Sequence, residues 1–139
     1  MCRGERVTRR APPRLRNFAP ARNVMGMAAS RGHAGEALAA AYLELAGMRI
    51  VERNARIAGV EVDLVVEDGD TEVLVEVRFR GRTDFGGAIE SLNGAKRARL
   101  HRAGVARAGH SRRVRIDVVA IELEPGGARV RHVRNAIEG

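Results

Sequence analysis

The chain has 139 residues, 45% apolar but only 3% aromatic, with a formal net charge of +8. That length suits one domain with a tail, and no apolar run reaches the roughly 20 residues that a membrane-spanning helix requires. The single Cys2 excludes an intramolecular disulfide framework and a multi-cysteine zinc site, and the scarcity of rings disfavours binding that relies on base stacking.

The charge is unevenly placed. Residues 1–26 hold seven Arg against Glu5 alone, six of the eight net positive charges. The basic character is therefore mostly a property of this tail. Residues 1–27 read as a disordered basic tail, because Pro, Arg and Ala recur there without periodicity. They also fit an extension upstream of a start at Met25 or Met27. A targeting segment is a third reading, disfavoured by the absence of Ser. Residues 28–139 read as one domain.

Ser30 is placed to cap a helix running to about Ala46, with Gly47 as its stop. Leu38, Ala41, Tyr42 and Leu45 fall at helical spacing and predict one buried stripe; Glu36, Ala39, Ala40 and Leu43 lie on another side. Strands are predicted at about Arg49–Ile57, Glu61–Val66 and Glu72–Phe79. After a glycine-rich loop (Gly81, Gly86, Gly87) a second helix runs from about Asn93 to Ala108 and ends at Gly109. Val114–Leu123 is a nearly unbroken apolar run, the pattern of a strand buried on both faces. A turn at Glu124 to Gly127 leads to a last strand, about Ala128–Val133. The order αβββαββ predicts an α/β fold, a mixed sheet flanked by helices.

The stretch from Glu61 to Glu76 carries seven carboxylates and no base, some of them among valines. Side chains alternate along a strand. A two-residue loop at Gly69-Asp70, or a four-residue loop from Asp68 to Thr71, pairs Glu67 with Glu72 and sets Asp63 opposite Glu76. Arg78 then shares their face. Facing carboxylates lie roughly 5 Å apart at Cβ and repel by about 3 kcal/mol at an effective dielectric near 20. Protonation, exposure or a bound cation relieves this. A hard divalent ion such as Mg²⁺ suits an all-oxygen pair. The competing reading is a half-exposed hairpin face with no ligand, and Glu67, Asp68, Asp70 and Glu72 at the turn fit plain solvated charges.

Several motifs occur in order: RGHAGEALAAAYLELAGMRIVERNAR, GVEVDLV, VLVEVRFR, FGGAIESLNGAKRARL and RIDVVAIE. Together they resemble the YraN-like family of bacterial proteins over about Arg31 to Ile137. The resemblance implies a restriction-endonuclease-like fold of the PD-(D/E)-x-K kind, distantly related to archaeal Holliday junction resolvases. It implies a metal-dependent endonuclease acting on DNA, branched DNA included, in the cytoplasm, with Mg²⁺ or Mn²⁺ as cofactor and a homodimer as one assembly. Carried over by position, Asp63 and Glu76 match the metal ligands, with Glu36 the helical acid that completes the site. Arg78 falls where the family usually carries lysine. Arg80 matches a basic residue that follows, and Lys96 a lysine at the start of the next helix.

Arginine is always charged and cannot serve as a base, although it can orient a water or offset phosphate charge. This departure keeps open a second function, a catalytically impaired DNA-binding module. A third is a protein-partner surface. Lys96, Arg97, Arg99, Arg102, Arg107, Arg112, Arg113 and Arg115 form an acid-free stretch, either a phosphate-binding stripe or a solvated face. Asp117, inside the apolar strand, reads as a structural hydrogen-bond acceptor, with an arginine as one candidate donor. His33, His101, His110 and His132 are scattered and read as incidental.

Overall fold

A computed structural model describes residues 27–80, 92–109 and 113–137, with side chains from residue 32 onward. The loop glycines Gly81, Gly86 and Gly87, together with Arg112 and residues 1–26 of the tail, lie outside the described residues, whereas Met27 opens α1. The elements are α1 (Met27–Leu45), β1 (Arg49–Ile57), β2 (Val60–Asp68), β3 (Thr71–Arg80), α2 (Gly94–Ala108), β4 (Arg113–Glu124) and β5 (Gly127–Val133). They build one five-stranded mixed sheet in the order β1-β2-β3-β4-β5. Only the β3–β4 pair is parallel, and α2 lies in the connection that reverses the chain between those strands.

The helix ends follow from local chemistry. α1 stops in a Schellman motif: Met48 N donates to Leu43 O and Gly47 N to Glu44 O, each at 3.0 Å, with Gly47 at φ +93. Met48 is thereby turned into the core. α2 begins at Asn93, whose Oδ1 accepts from Lys96 N at 2.9 Å. Ser30 is not a cap, because α1 starts three residues before it.

The sheet separates two cores. Ala39, Ala40 and Leu43 of α1 cover Leu64, Val66, Val73, Val75, Val119 and Ile121. Leu100 and Ala103 of α2 cover Val65, Leu74 and Ile116, together with Ala55, Ile57, Val60 and Val62 from the β1–β2 hairpin. β4 is buried along its middle, Ile116 to Ile121, as expected of a strand covered on both faces.

The α1 stripe is a correction. Leu38, Tyr42 and Leu45 are exposed, Leu45 by 89%, whereas Ala39, Ala40 and Leu43 are buried. The small residues win because they let the helix approach the sheet. A Cβ added at Gly35 would stand 3.5 Å from Phe79 Cδ2 and 3.8 Å from Ile121 Cδ1, so the large side chains are left on the outer face.

The β2–β3 turn is the two-residue Gly69-Asp70 loop. A positive φ at Gly69 and not at Asp70 matches a type II′ turn. Glu67 pairs with Glu72, and the ladder runs back regularly to Leu64–Val75, where it stops. The bulge in this region falls between β1 and β2, at Ile50/Glu52, and leaves the β2–β3 register intact.

Candidate functional site

Asp63 and Glu76 are the first residues beyond the point where the β2–β3 ladder ends. From there β2 leaves β3: Val62 and Val60 pack under α2, while Leu64 and Val66 pack under α1. Asp63 fills the gap. Its Oδ2 accepts from Val77 N at 2.8 Å, taking a donor that a continued ladder would have given to a carbonyl.

Glu76 is 3% exposed. Its Oε1 meets two cations, Lys96 Nζ at 3.3 Å and Arg78 NH1 at 3.7 Å. Its Oε2 is buried without a hydrogen-bond partner among the described residues. Burial, reinforced by the Asp63 charge and offset in part by Lys96, raises the Glu76 carboxyl to about 7. The two carboxyls approach closely enough to share a proton.

Glu36 reaches the site from α1. Burial raises its pKa first, the Asp63 charge second, while His33 and a hydrogen bond with Asn54 oppose the shift. Glu36 therefore feels Asp63, yet it does not close a cage. Among the described residues no three His, Cys, Asp or Glu side chains converge tightly enough to enclose an ion. The donor set that fits a cation is the Asp63–Glu76 pair, all hard oxygen with one unsatisfied buried atom. An octahedral ion bound there would keep several waters.

The basic residues divide. Lys96, expected among phosphate contacts, stands beside Glu76 Oε1 as well. Arg97 Nε donates to Leu92 O at 3.4 Å, Arg99 is exposed on α2, and Arg80 lies at the end of β3 opposite Glu122 of β4. The long basic stretch is not one surface. Arg107 is held by Glu72 at 2.7 Å and Arg115 by Asp117 and Asp68 at 2.8 and 3.0 Å.

Asn54 has no counterpart among the sequence candidates, and His33, read from sequence as incidental, acts on Glu36. Asn54 sits at φ 51, a left-handed conformation that asparagine tolerates better than most residues. An asparagine within a predicted strand was the available signal.

On the far side of the site Asp117 is fully buried, and Arg115 is indeed its donor. Arg115 binds it through Nε and NH2, Asn135 N donates to Oδ1 at 2.9 Å, and His132 Nε2 lies 2.7 Å from Oδ2. His132 is thus a buried partner of Asp117 rather than an incidental histidine, and its ring meets Tyr42 edge-on at 5.9 Å.

These elements define a mixed α/β domain with an acidic pair, Glu76 buried and Asp63 half-buried, where two antiparallel strands part. Among the described residues no helix is long and apolar enough to cross a membrane. The chain belongs to the uncharacterised protein family UPF0102, the YraN-like family that its motifs resemble, with residues 35–121 matched. It is similar to the UPF0102 protein of Arthrobacter sp. (strain FB24), 45% identical over 74% of this chain and 92% of the relative. It is likewise similar to that of Stutzerimonas stutzeri (strain A1501), 42% identical over 82% and 99%. The UPF0102 protein of Paenarthrobacter aurescens (strain TC1) is 47% identical over 65% of this chain and 78% of the relative.

Proposed function

We propose that the protein is a Mg²⁺- or Mn²⁺-dependent endonuclease of restriction-endonuclease-like fold, hydrolysing phosphodiester bonds in cytoplasmic DNA, branched DNA included. The observation that supports this best is the buried Glu76 carboxylate, with one oxygen unpartnered and Asp63 alongside. Such a pair is costly without a counter-charge beyond the two cations at Oε1. Asp63 and Glu76 would hold the ion, and Glu36, near Asp63, would orient water around it. A divalent ion bound there supplies Lewis acidity and a more acidic water.

The chain's own residues account for the rest. Val77 N fixes the Asp63 carboxylate. Arg78 and Lys96 place two positive charges beside Glu76, where they can offset charge on a phosphate passing through pentavalency. Arg78 orients water but cannot take its proton. The test is cleavage of duplex, flap and four-way-junction DNA with Mg²⁺ or Mn²⁺. We expect cleavage that is abolished in Glu76→Ala; a folded, metal-loaded protein that cuts none of these, or undiminished cutting by the variant, removes the reading.

One observation favours a second reading. Arginine stands at position 78, where the resembled class carries lysine. A DNA-binding module that has lost catalysis would bind without turnover and regain cleavage in Arg78→Lys.

A further inference from the structure

Beside the acidic pair, the β1–β2 hairpin tip and the outer face of α2 enclose an open cleft of about 440 Å³. Its charged lining is Arg56 and Glu61 from the hairpin and Lys96, Arg99 and Arg102 from α2. We propose that this cleft is the seat of one phosphate backbone of duplex DNA, leading it to Glu76; the inference rests on the nuclease reading for its choice of partner.

Three observations carry it. The first is what the arginines do. Arg49, Arg107, Arg115, Arg129 and Arg134 are each held by a carboxylate. Arg56, Arg99 and Arg102 make no ion pair or hydrogen bond among the described residues, and all three are exposed. Their charge is open to an external anion.

The second is spacing. Lys96, Arg99 and Arg102 recur every three residues on one side of α2, over about 9 Å of helix rise. That length spans two neighbouring phosphates of one strand, whose separation along the backbone exceeds the axial rise of about 3.4 Å per nucleotide. The third is continuity. Lys96 lines the cleft and also stands 3.3 Å from Glu76 Oε1, so a backbone lying on Arg102 and Arg99 arrives at the acidic pair.

The fold makes the cleft rigid at its base. Leu100 and Ala103 on the inner side of α2 share a core with Ala55, Ile57, Val60 and Val62 of the hairpin. The two walls are fixed relative to each other by packing, and the cations project from both. Among the described residues no aromatic side chain lines the cleft. It offers phosphate contacts without a stacking platform, which favours a paired strand over an unstacked single strand.

The test is binding of the full chain to a labelled 20-base-pair duplex and to the corresponding single strand, without divalent metal, across a salt series. Arg56→Ala/Arg99→Ala/Arg102→Ala should lower the slope of log affinity against log salt by roughly three. At moderate salt its affinity should fall at least ten-fold, with little change in Arg129→Ala. The three corresponding Arg→Lys changes together should restore most of the affinity.

An unchanged slope in the alanine variant, or tighter binding of the single strand, overturns the proposal and leaves the nuclease reading standing. A wild type that binds no DNA at low salt overturns both. Slope loss in a protein that never cleaves upholds the cleft and removes the nuclease.

Discussion

Lys96 Nζ lies 3.3 Å from Glu76 Oε1, so the chain's only lysine is directed at the most buried glutamate among the described residues. The contact is made across the fold, from the first turn of α2 to β3, and Asn93 fixes that turn by capping Lys96 N. Lys96→Met removes the partner and leaves the carboxylate uncompensated on one side. The expected cost is about 2 kcal/mol at pH 8, discounted because Lys96 is partly exposed, and near zero at pH 5, where Glu76 is protonated. Urea denaturation at the two pH values checks it; an equal loss at both would mean that Lys96 acts by packing.

The raised Glu76 carboxyl makes a pH prediction for the metal-free protein. Its folded pKa, about 7, lies above the ordinary 4.5. The folded state therefore binds more protons between those values, and stability falls as pH rises from 4.5 through 7. The contribution is roughly 3 kcal/mol. Glu36, also raised, acts in the same direction. Glu76→Gln should flatten this limb, because the amide cannot ionise while its NH2 can still donate to Asp63. Unfolding free energies from pH 4.5 to 8 read the slope directly, and a wild type whose stability climbs over that range contradicts the assignment.

Metal should reverse that trend. An ion bound between Asp63 and Glu76 competes with the shared proton, so Mg²⁺ or Mn²⁺ is expected to stabilise the protein more at pH 8 than at pH 6. At a hundred-fold excess over Kd the gain is about 2.7 kcal/mol. Asp63→Asn and Glu76→Gln should each abolish most of it. Thermal melting with and without metal is the measurement; a gain of equal size in both variants would place the ion elsewhere.

The hairpin register was legible because it follows from alternation and a short turn: Glu67 opposite Glu72 fixes the approach of Asp63 to Glu76. The element order was legible for the same reason, since each apolar run has its own length and bounding turn. Asp117 was legible as a buried acceptor because an acid within β4 must be satisfied. What sequence could not give was long-range placement. Leu38 and Leu45 look like core by spacing, but Ala39, Ala40 and Gly35 decide which side of α1 meets the sheet. Lys96 reads as part of a basic stretch until the fold carries it to Glu76. Arg107 and Arg115 read as the same stretch, but each is held by a carboxylate distant in the chain, Glu72 and Asp68.

Arg78→Lys separates the two functional readings. Lysine presents a compact ammonium and can exchange a proton, which arginine cannot. If the guanidinium limits the chemistry, Mg²⁺-dependent cleavage should rise by about ten-fold or more in the variant, within the range that general acid–base groups supply. Initial rates on a duplex or junction substrate, with DNA affinity measured in parallel, give the answer. A slower variant with unchanged affinity would show that the guanidinium itself is the working group.

Asp117 ties β4 to β5 and to the residues that follow. It accepts from Arg115, from Asn135 N and from the His132 ring, and Ala136 N donates to Ile116 O at 2.8 Å beside it. Its pKa is lowered: burial would raise it, but the Arg115, Asn135 and His132 hydrogen bonds prevail. Its stabilisation is therefore present above the ordinary carboxyl pKa of 3.8 and is lost as pH falls below it, a window separate from that of Glu76. Asp117→Ala leaves Arg115 and Asn135 N without their acceptor inside the fold and should cost about 3–5 kcal/mol at pH 7. Asp117→Asn keeps the volume and one acceptor oxygen and should cost less. The same change should leave the metal-induced stabilisation at Asp63 and Glu76 in place wherever the variant folds, since among the described residues no hydrogen bond or ion pair joins Asp117 to either. Denaturant unfolding of both variants with metal titration alongside checks the pair of claims, and a loss of metal response in a folded Asp117→Asn would show that the two networks are coupled.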